Sequence, residues 1–188
     1  LAGLAGPVDV YRDENGIPHI YASSTHDLFF TQGYVHAQDR FWQMDFWRHI
    51  GSGRLSEMFG SETIETDMFL RTLGFDEIVA REIELLDGDT LSALESYAEG
   101  VNAYLADHQG SSLSLEYVIL KLINADYTAE PWQIQHTLTW AKMMAWDLGG
   151  NMDIEIRRAV LAESLSAEQL QEIFPSYPAD HPVILPGF

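Results

Sequence analysis

Cysteine is absent from the 188 residues, which excludes a disulfide scaffold, a thiolate metal site and a cysteine nucleophile, and leaves the redox compartment undecided. Positive charge is scarce: 10 Lys+Arg stand against 29 Asp+Glu, a formal net charge of −19 with histidine neutral. Such an excess repels phosphate backbones and anionic headgroups, so no nucleic acid and no membrane is expected as a partner. Long hydrophobic runs are lacking too; the longest are a few residues, as at Val118 to Leu120, far short of the roughly 20 that span a bilayer. The chain also has no G-x-S-x-G elbow, phosphate-binding loop, dinucleotide-binding glycine fingerprint, H-E-x-x-H helix or EF-hand loop. None of its seven histidines has another four residues away, so zinc-ligand pairing on a helix is not indicated. Glu84, Asp87 and Asp89 read as a solvated charge run rather than a metal or acid/base cluster.

What is present is globular: 46% hydrophobic and 12% aromatic residues, on a chain long enough for one large domain or two small ones. Val8 to Arg12 and Ile17 to Ala22 flank Asp13-Glu14-Asn15-Gly16, and Asn-Gly between such runs predicts a β-hairpin. From Thr25, read as an N-cap, the period changes to that of a helix. Leu28, Val35, Trp42 and Phe46 form one apolar row, and Phe30, Tyr34, Ala37, Phe41 and Met44 a second. Between them Gln32, His36, Asp39 and Gln43 make one polar stripe; a helix with so little polar circumference is expected to turn that stripe toward other protein, the alternative being a solvated face. Gly51-Ser52-Gly53 ends the helix, and a short amphipathic piece, Arg54 to Phe59, follows.

Further helices are expected from about Asp76 to Leu86, from Asp89 or Thr90 through Leu105, from Pro131-Trp132 to the Gly149-Gly150 stop, from Met152 to Leu165, and from the Ser166/Gln169 capping box to Phe174. Gly100 interrupts the second of these, and an interior helix glycine marks close packing or a bend. Ile134, Leu138, Ala141, Ala145 and Leu148 share one row of the third. Pro175, Pro178, Pro182 and Pro186 make 175–188 an extended tail, the expected form of a connector. The layout is a hairpin over 1–24, a helical region over 25–174 and that tail, all in one unit. A chain that opens on Leu1 is expected to have a terminus set by processing, such as removal of a signal peptide, or by the choice of boundary.

Val8-Asp9-Val10-Tyr11-Arg12-Asp13, Gly16-Ile17-Pro18-His19-Ile20 and the run from Gly33-Tyr34-Val35-His36-Ala37-Gln38-Asp39-Arg40-Phe41-Trp42 to Gln43-Met44-Asp45 closely resemble the opening of the penicillin acylase (penicillin amidase) family. The likeness continues through Arg48, Gly53 to Glu57 and Phe59-Gly60, and returns at Tyr97 to Tyr104, Pro131-Trp132 and Lys142 to Leu148. About half the chain is covered well.

The resemblance implies an α+β fold: a mostly helical α chain with an N-terminal hairpin that completes the four-layer αββα core of an N-terminal-nucleophile hydrolase with a separate β chain. In that family a precursor cleaves itself, and the catalytic serine is the first residue of the β chain. No catalytic residue is therefore expected among these 188, and the chain alone should be inactive. The implied activity is hydrolysis of a small-molecule acyl amide of the penicillin G or N-acyl-homoserine lactone type, in a periplasmic or secreted enzyme. By the same likeness Met144, Trp146, Asp147 and Leu148 bind substrate by lining the acyl pocket. Glu155, beside Ala159 and Ala162, contributes to a structural calcium shared with the β chain. Asp153 is the competing ligand, and a surface pair of Glu155 with Arg157 or Arg158 is the alternative role. Arg40 and Arg54 are expected to be structural, satisfying several carbonyls or carboxylates at once. The reading from another class is a non-catalytic helical interaction module, an inactive relative that only binds a partner.

Overall fold

The computed structural model describes residues 1–182; the end of the expected proline-rich tail, 183–188, lies outside the described residues. Helices dominate. In chain order the elements are strands β1 (Asp9–Arg12) and β2 (Pro18–Tyr21), then helices α1 (Thr25–Gly51), α2 (Ser56–Phe59), α3 (Ile64–Leu73), α4 (Phe75–Ile83), α5 (Gly88–Asp107), α6 (Leu115–Ile123), α7 (Ile134–Gly149), α8 (Met152–Ala162) and α9 (Ala167–Ile173). The described residues pack as two compact units, divided between Ala145 and Trp146.

The hairpin is antiparallel, with Asp9 opposite Tyr21 and Arg12 opposite Pro18. Its turn follows from local chemistry. The Asp13 carboxylate accepts from the backbone N–H groups of Asn15 and Ile17, both at 2.9 Å, and Gly16 takes the left-handed φ of +77° that disfavours a side chain. Two strands alone are marginal in water, and this pair is anchored to α1 by a forked ion pair: Arg12 donates from both terminal nitrogens to Asp39, each at 2.8 Å.

Ser24, one residue before the expected Thr25, is the N-cap of α1, its hydroxyl accepting from the Asp27 N–H. Asp27 in turn accepts from the N–H groups of Ala5 and Gly6, clasping the N-terminal arm. Packing of α1 on α5 forms the heart of the first unit, and two glycines allow it. A Cβ on Gly33 would stand 2.1 Å from the Tyr97 carbonyl oxygen, and one on Gly100 would stand 1.8 Å from that of Phe30. Gly100 is thus a close-packing position, as its place in the helix implied. Ala37, Phe41, Met58, Val101, Tyr117, Leu120 and Trp132 belong to the core that grows from this crossing.

Three local expectations need correction. Helix α7 begins at Ile134, not at Pro131-Trp132, because Asn102 holds both backbone groups of Trp132: its Oδ1 accepts from the Trp132 N–H at 2.7 Å and its Nδ2 donates to the Trp132 carbonyl at 2.9 Å. The buried face of α7 is His136, Thr139 and Met143, while Ala141, Ala145 and Leu148 of the apolar row are exposed. Helix α5 starts at Gly88 with Asp87 as its N-cap, accepting from the Thr90 N–H, so one member of the presumed solvated run has a structural task. In the second unit the Ser166/Gln169 capping box forms as expected, and Arg158 of α8 lies over the Phe174 ring.

Candidate functional site

One face of α1 projects Phe29, Gln32, His36, Arg40, Gln43 and Trp47, spaced three or four residues apart, into a hollow of about 670 Å³. Such spacing keeps side chains on one side of a helix. Helix α5 adds Leu94 and Tyr97, α7 adds Thr137 and Trp140, and Trp132 lies between them. The volume is within the range of ligand pockets, about 300–1,000 Å³. Three of the four residues of the expected polar stripe line this hollow; the fourth, Asp39, is the one committed to Arg12.

His36 Nδ1 and the Tyr97 hydroxyl are 3.0 Å apart and share one hydrogen bond, with the donor set by the imidazole tautomer. Although His36 as a whole is exposed, partial desolvation lowers its pKa below the ordinary imidazole value. Burial pushes the Tyr97 phenol up to about 12. Both are therefore neutral near pH 7, and among the described residues Arg40 is the one charged group lining the hollow. Arg40 departs from the structural role expected of it. It is exposed, its φ of −143° and ψ of 18° kink α1, and among the described residues it makes no hydrogen bond or ion pair. Arg54 matches its expectation: it grips both oxygens of Glu57 at 2.9 and 2.7 Å and reaches Glu130 at 2.6 Å.

Behind the hollow lies a buried ion network that sequence reasoning missed. Asp45 and Arg48 are 0% and 1% exposed and pair at 2.6 Å. The other Asp45 oxygen accepts from the hydroxyls of Tyr117 and Tyr127 at 2.6 and 2.7 Å. Arg48 also donates to the carbonyls of Glu130 and Pro131 and lies over the Trp132 ring, 5.4 Å from its centroid. His136 accepts from the Gln133 N–H, and burial, aided by the Arg48 charge, drives its pKa down to about 4. The network orients Trp132, whose indole N–H donates to Thr137 at 2.9 Å. The i, i+3 spacing of Asp45 and Arg48 was the available signal, but a surface pair has the same spacing.

The expected substrate-binding residues are distributed differently. Trp146 and Asp147 line a second hollow of about 370 Å³ with Gly149, Gly150, Asn151, Met152 and Asp153. Leu148 is 76% exposed and Met144 is half-buried; neither is among the residues lining that hollow. Glu155 is exposed, one oxygen accepting from Asn151 Nδ2 at 3.2 Å, and no pairing with Arg157 or Arg158 is seen. Among the described residues no group of three metal-ligating side chains forms. Glu155 nonetheless fits the part of a single shared ligand, since its second oxygen has no partner among the described residues and calcium takes six to eight oxygens.

A helical scaffold that turns an aromatic-walled, partly polar hollow outward is the class of protein this geometry defines. The chain belongs to the penicillin amidase family, whose model matches residues 7–183. It is similar to a penicillin acylase 2 proenzyme of Pseudomonas sp. (strain SE83), 38% identical over 149 residues that cover 79% of this chain and 18% of that protein. An acyl-homoserine lactone acylase QuiP of Pseudomonas syringae pv. syringae (strain B728a) is 33% identical over 95% of this chain and 21% of its own. Among solved structures, a chain of a thermostable penicillin G acylase from Alcaligenes faecalis matches with a TM-score of 0.75 at 27% identity, over 96% of this chain and 97% of that one. The chain spans about a fifth of the length of these curated relatives.

Proposed function

We propose that this chain is the α subunit of a two-chain acylase that hydrolyses a small-molecule acyl amide. The observation that carries the reading is the match in extent. A solved penicillin G acylase chain is covered over 97% of its length, while the curated relatives, one of them named a proenzyme, are about five times as long. A β chain from the same precursor would then supply the rest of the four-layer core and the nucleophile.

The chemistry needs such a division. A serine hydroxyl is a weak nucleophile at neutral pH, and an α-amine with a pKa of about 7.7–8.0 on the same residue can take its proton as it attacks the amide carbon. Only a chain terminus offers that pair. Donors on the β chain would stabilise the oxyanion, each worth about 3–4 kcal/mol. The amine leaves with a proton, and water then releases the acid from the acyl-serine. The α chain would contribute the acyl pocket through Met144, Trp146, Asp147 and Leu148; the hollow beside Trp146 and Asp147 supports the assignment of those two, and Met144 and Leu148 rest on the family resemblance. Glu155 would be its ligand to a structural calcium, which ties the two chains together without entering the reaction. The enzyme would be periplasmic or secreted; among the described residues no helix is long and apolar enough to cross a membrane.

The test is expression of the gene with its full downstream reading frame, followed by assay of amine release from penicillin G and from an N-acyl-homoserine lactone. Release from either, lost when the first β-chain serine is replaced by alanine, is expected. A folded two-chain protein that cleaves neither would instead be a non-catalytic binding module.

A further inference from the structure

We infer that the hollow along α1 is the seat of an extended, acidic segment of the β chain, with a carboxylate on Arg40 and apolar side chains against Trp47 and Trp140. The inference rests on the two-chain reading above. It starts from a charge left over. Acidic residues outnumber basic ones 29 to 10; Arg12, Arg48 and Arg54 pair with carboxylates, while Arg71, Arg81, Arg157 and Arg158 make no ion pair among the described residues but line no part of this hollow. Arg40 has no counter-ion among the described residues, yet it sits at the one kink of α1 and lines the hollow.

Its neighbours are also unspent. The side-chain amides of Gln32 and Gln43 make no hydrogen bond among the described residues, nor do the indole N–H groups of Trp47 and Trp140, although all four residues line the same hollow. Amides and indole donors set among aromatic walls suit a peptide backbone, whose carbonyls and N–H groups need partners along their whole length. An apolar surface of this kind, rimmed by polar groups, marks an interaction site. From Phe29 to Trp47 the face runs for roughly 27 Å at about 1.5 Å per helical residue, the length of about eight extended residues. The relatives carry about four-fifths of their length outside the matched region, ample for such a segment. Arg40 is exposed and makes no hydrogen bond or ion pair among the described residues, so its replacement is expected to leave the fold of this chain intact.

A photo-crosslinking amino acid placed at Gln43 in the full precursor, with the processed complex irradiated and digested, reads the occupant by mass spectrometry. A crosslink to a β-chain peptide containing Asp or Glu is expected. In parallel Arg40→Glu should speed dissociation of the two chains at least tenfold, while Arg40→Lys stays within a few-fold of the parent. Crosslinks confined to this chain or to a second copy of it, or identical dissociation of Arg40→Glu and the parent, would overturn the inference. Amide hydrolysis is measured on the same sample. Hydrolysis without the β-chain crosslink sinks the docking segment and leaves the acylase reading standing, whereas a sample with no second chain sinks both.

Discussion

Replacing Gly100 with alanine sets two known effects against each other. Helix propensity favours the substitution by about 1 kcal/mol, since glycine in a helix interior is that much worse than alanine. The crossing of α1 and α5 opposes it: the new Cβ would stand 1.8 Å from the Phe30 carbonyl oxygen, where ordinary contact begins at 3.4 Å. The obstacle is backbone, so no rotamer change relieves it and the helices must part by more than an ångström. Overpacking of this kind costs about 1–3 kcal/mol and sometimes more. With no rotamer escape we expect the upper part of that range to prevail, a net loss of about 2 kcal/mol. For a domain of this size that lowers the melting temperature by roughly 4–8 °C. Gly33→Ala, aimed at the Tyr97 carbonyl from the other helix, should behave alike. The double variant should lose less than the two singles together, because one separation relieves both clashes. Thermal unfolding of the purified protein followed by circular dichroism reads all three. A rise in melting temperature for Gly100→Ala would show that propensity governs the position and that the helices do not approach so closely.

Asp45→Asn should cost about 3–5 kcal/mol in urea unfolding, since it strands the buried Arg48 charge; a loss under 1 kcal/mol would deny the network its role. His136, neutral when folded with a pKa of about 4 against an ordinary 6.5, binds its proton more readily when unfolded. Its contribution is present above pH 6.5 and lost as pH falls toward 4, up to about 3 kcal/mol by linkage. His136→Gln should flatten that part of the stability curve, and an unchanged slope would refute the assignment. Glu155→Gln should lower calcium content and heat stability of the two-chain protein; equal calcium by atomic absorption would remove Glu155 from the site. Met144→Ala should shift acyl preference by about 1–3 kcal/mol in relative kcat/KM between an aromatic and a long aliphatic acyl group, and unchanged ratios would place the pocket elsewhere.

The hairpin, the long first helix and the capping box at Ser166 were legible because turn chemistry and capping act between near neighbours. Helix α3 was not: it buries Asp67, which accepts from the N–H groups of Leu55 and Ser56, and exposes Ile64, Met68 and Phe69, so its periodicity reads in reverse. Helix α6 was hidden by uniformity. Tyr117 and Leu120 are buried while Leu115, Val118, Ile119, Leu122 and Ile123 are exposed; with apolar residues on both faces, broken only by Glu116 and Lys121, no period separates a helix from a strand. The polar stripe on α1 was legible but the hollow it lines was not: besides Phe29 and Trp47 of α1, its aromatic walls arrive from α5, α7 and the loop at Trp132, and only long-range contacts such as Asn102 with Trp132 bring them there. Arg40 departs from the structural role expected of it, and Arg48, for which no role was read, is the one buried against a carboxylate, because arginine spacing says nothing of which one finds carboxylates across the fold.

The central claim, that this chain is one part of a split acylase, is tested most directly by native mass spectrometry of the protein purified after expression of the whole gene. The account predicts a complex of this chain with a second one roughly four times as long, the proportion set by the relatives, separating into the two masses on denaturation. A single species of the mass of this chain alone, with no companion bound, would contradict it.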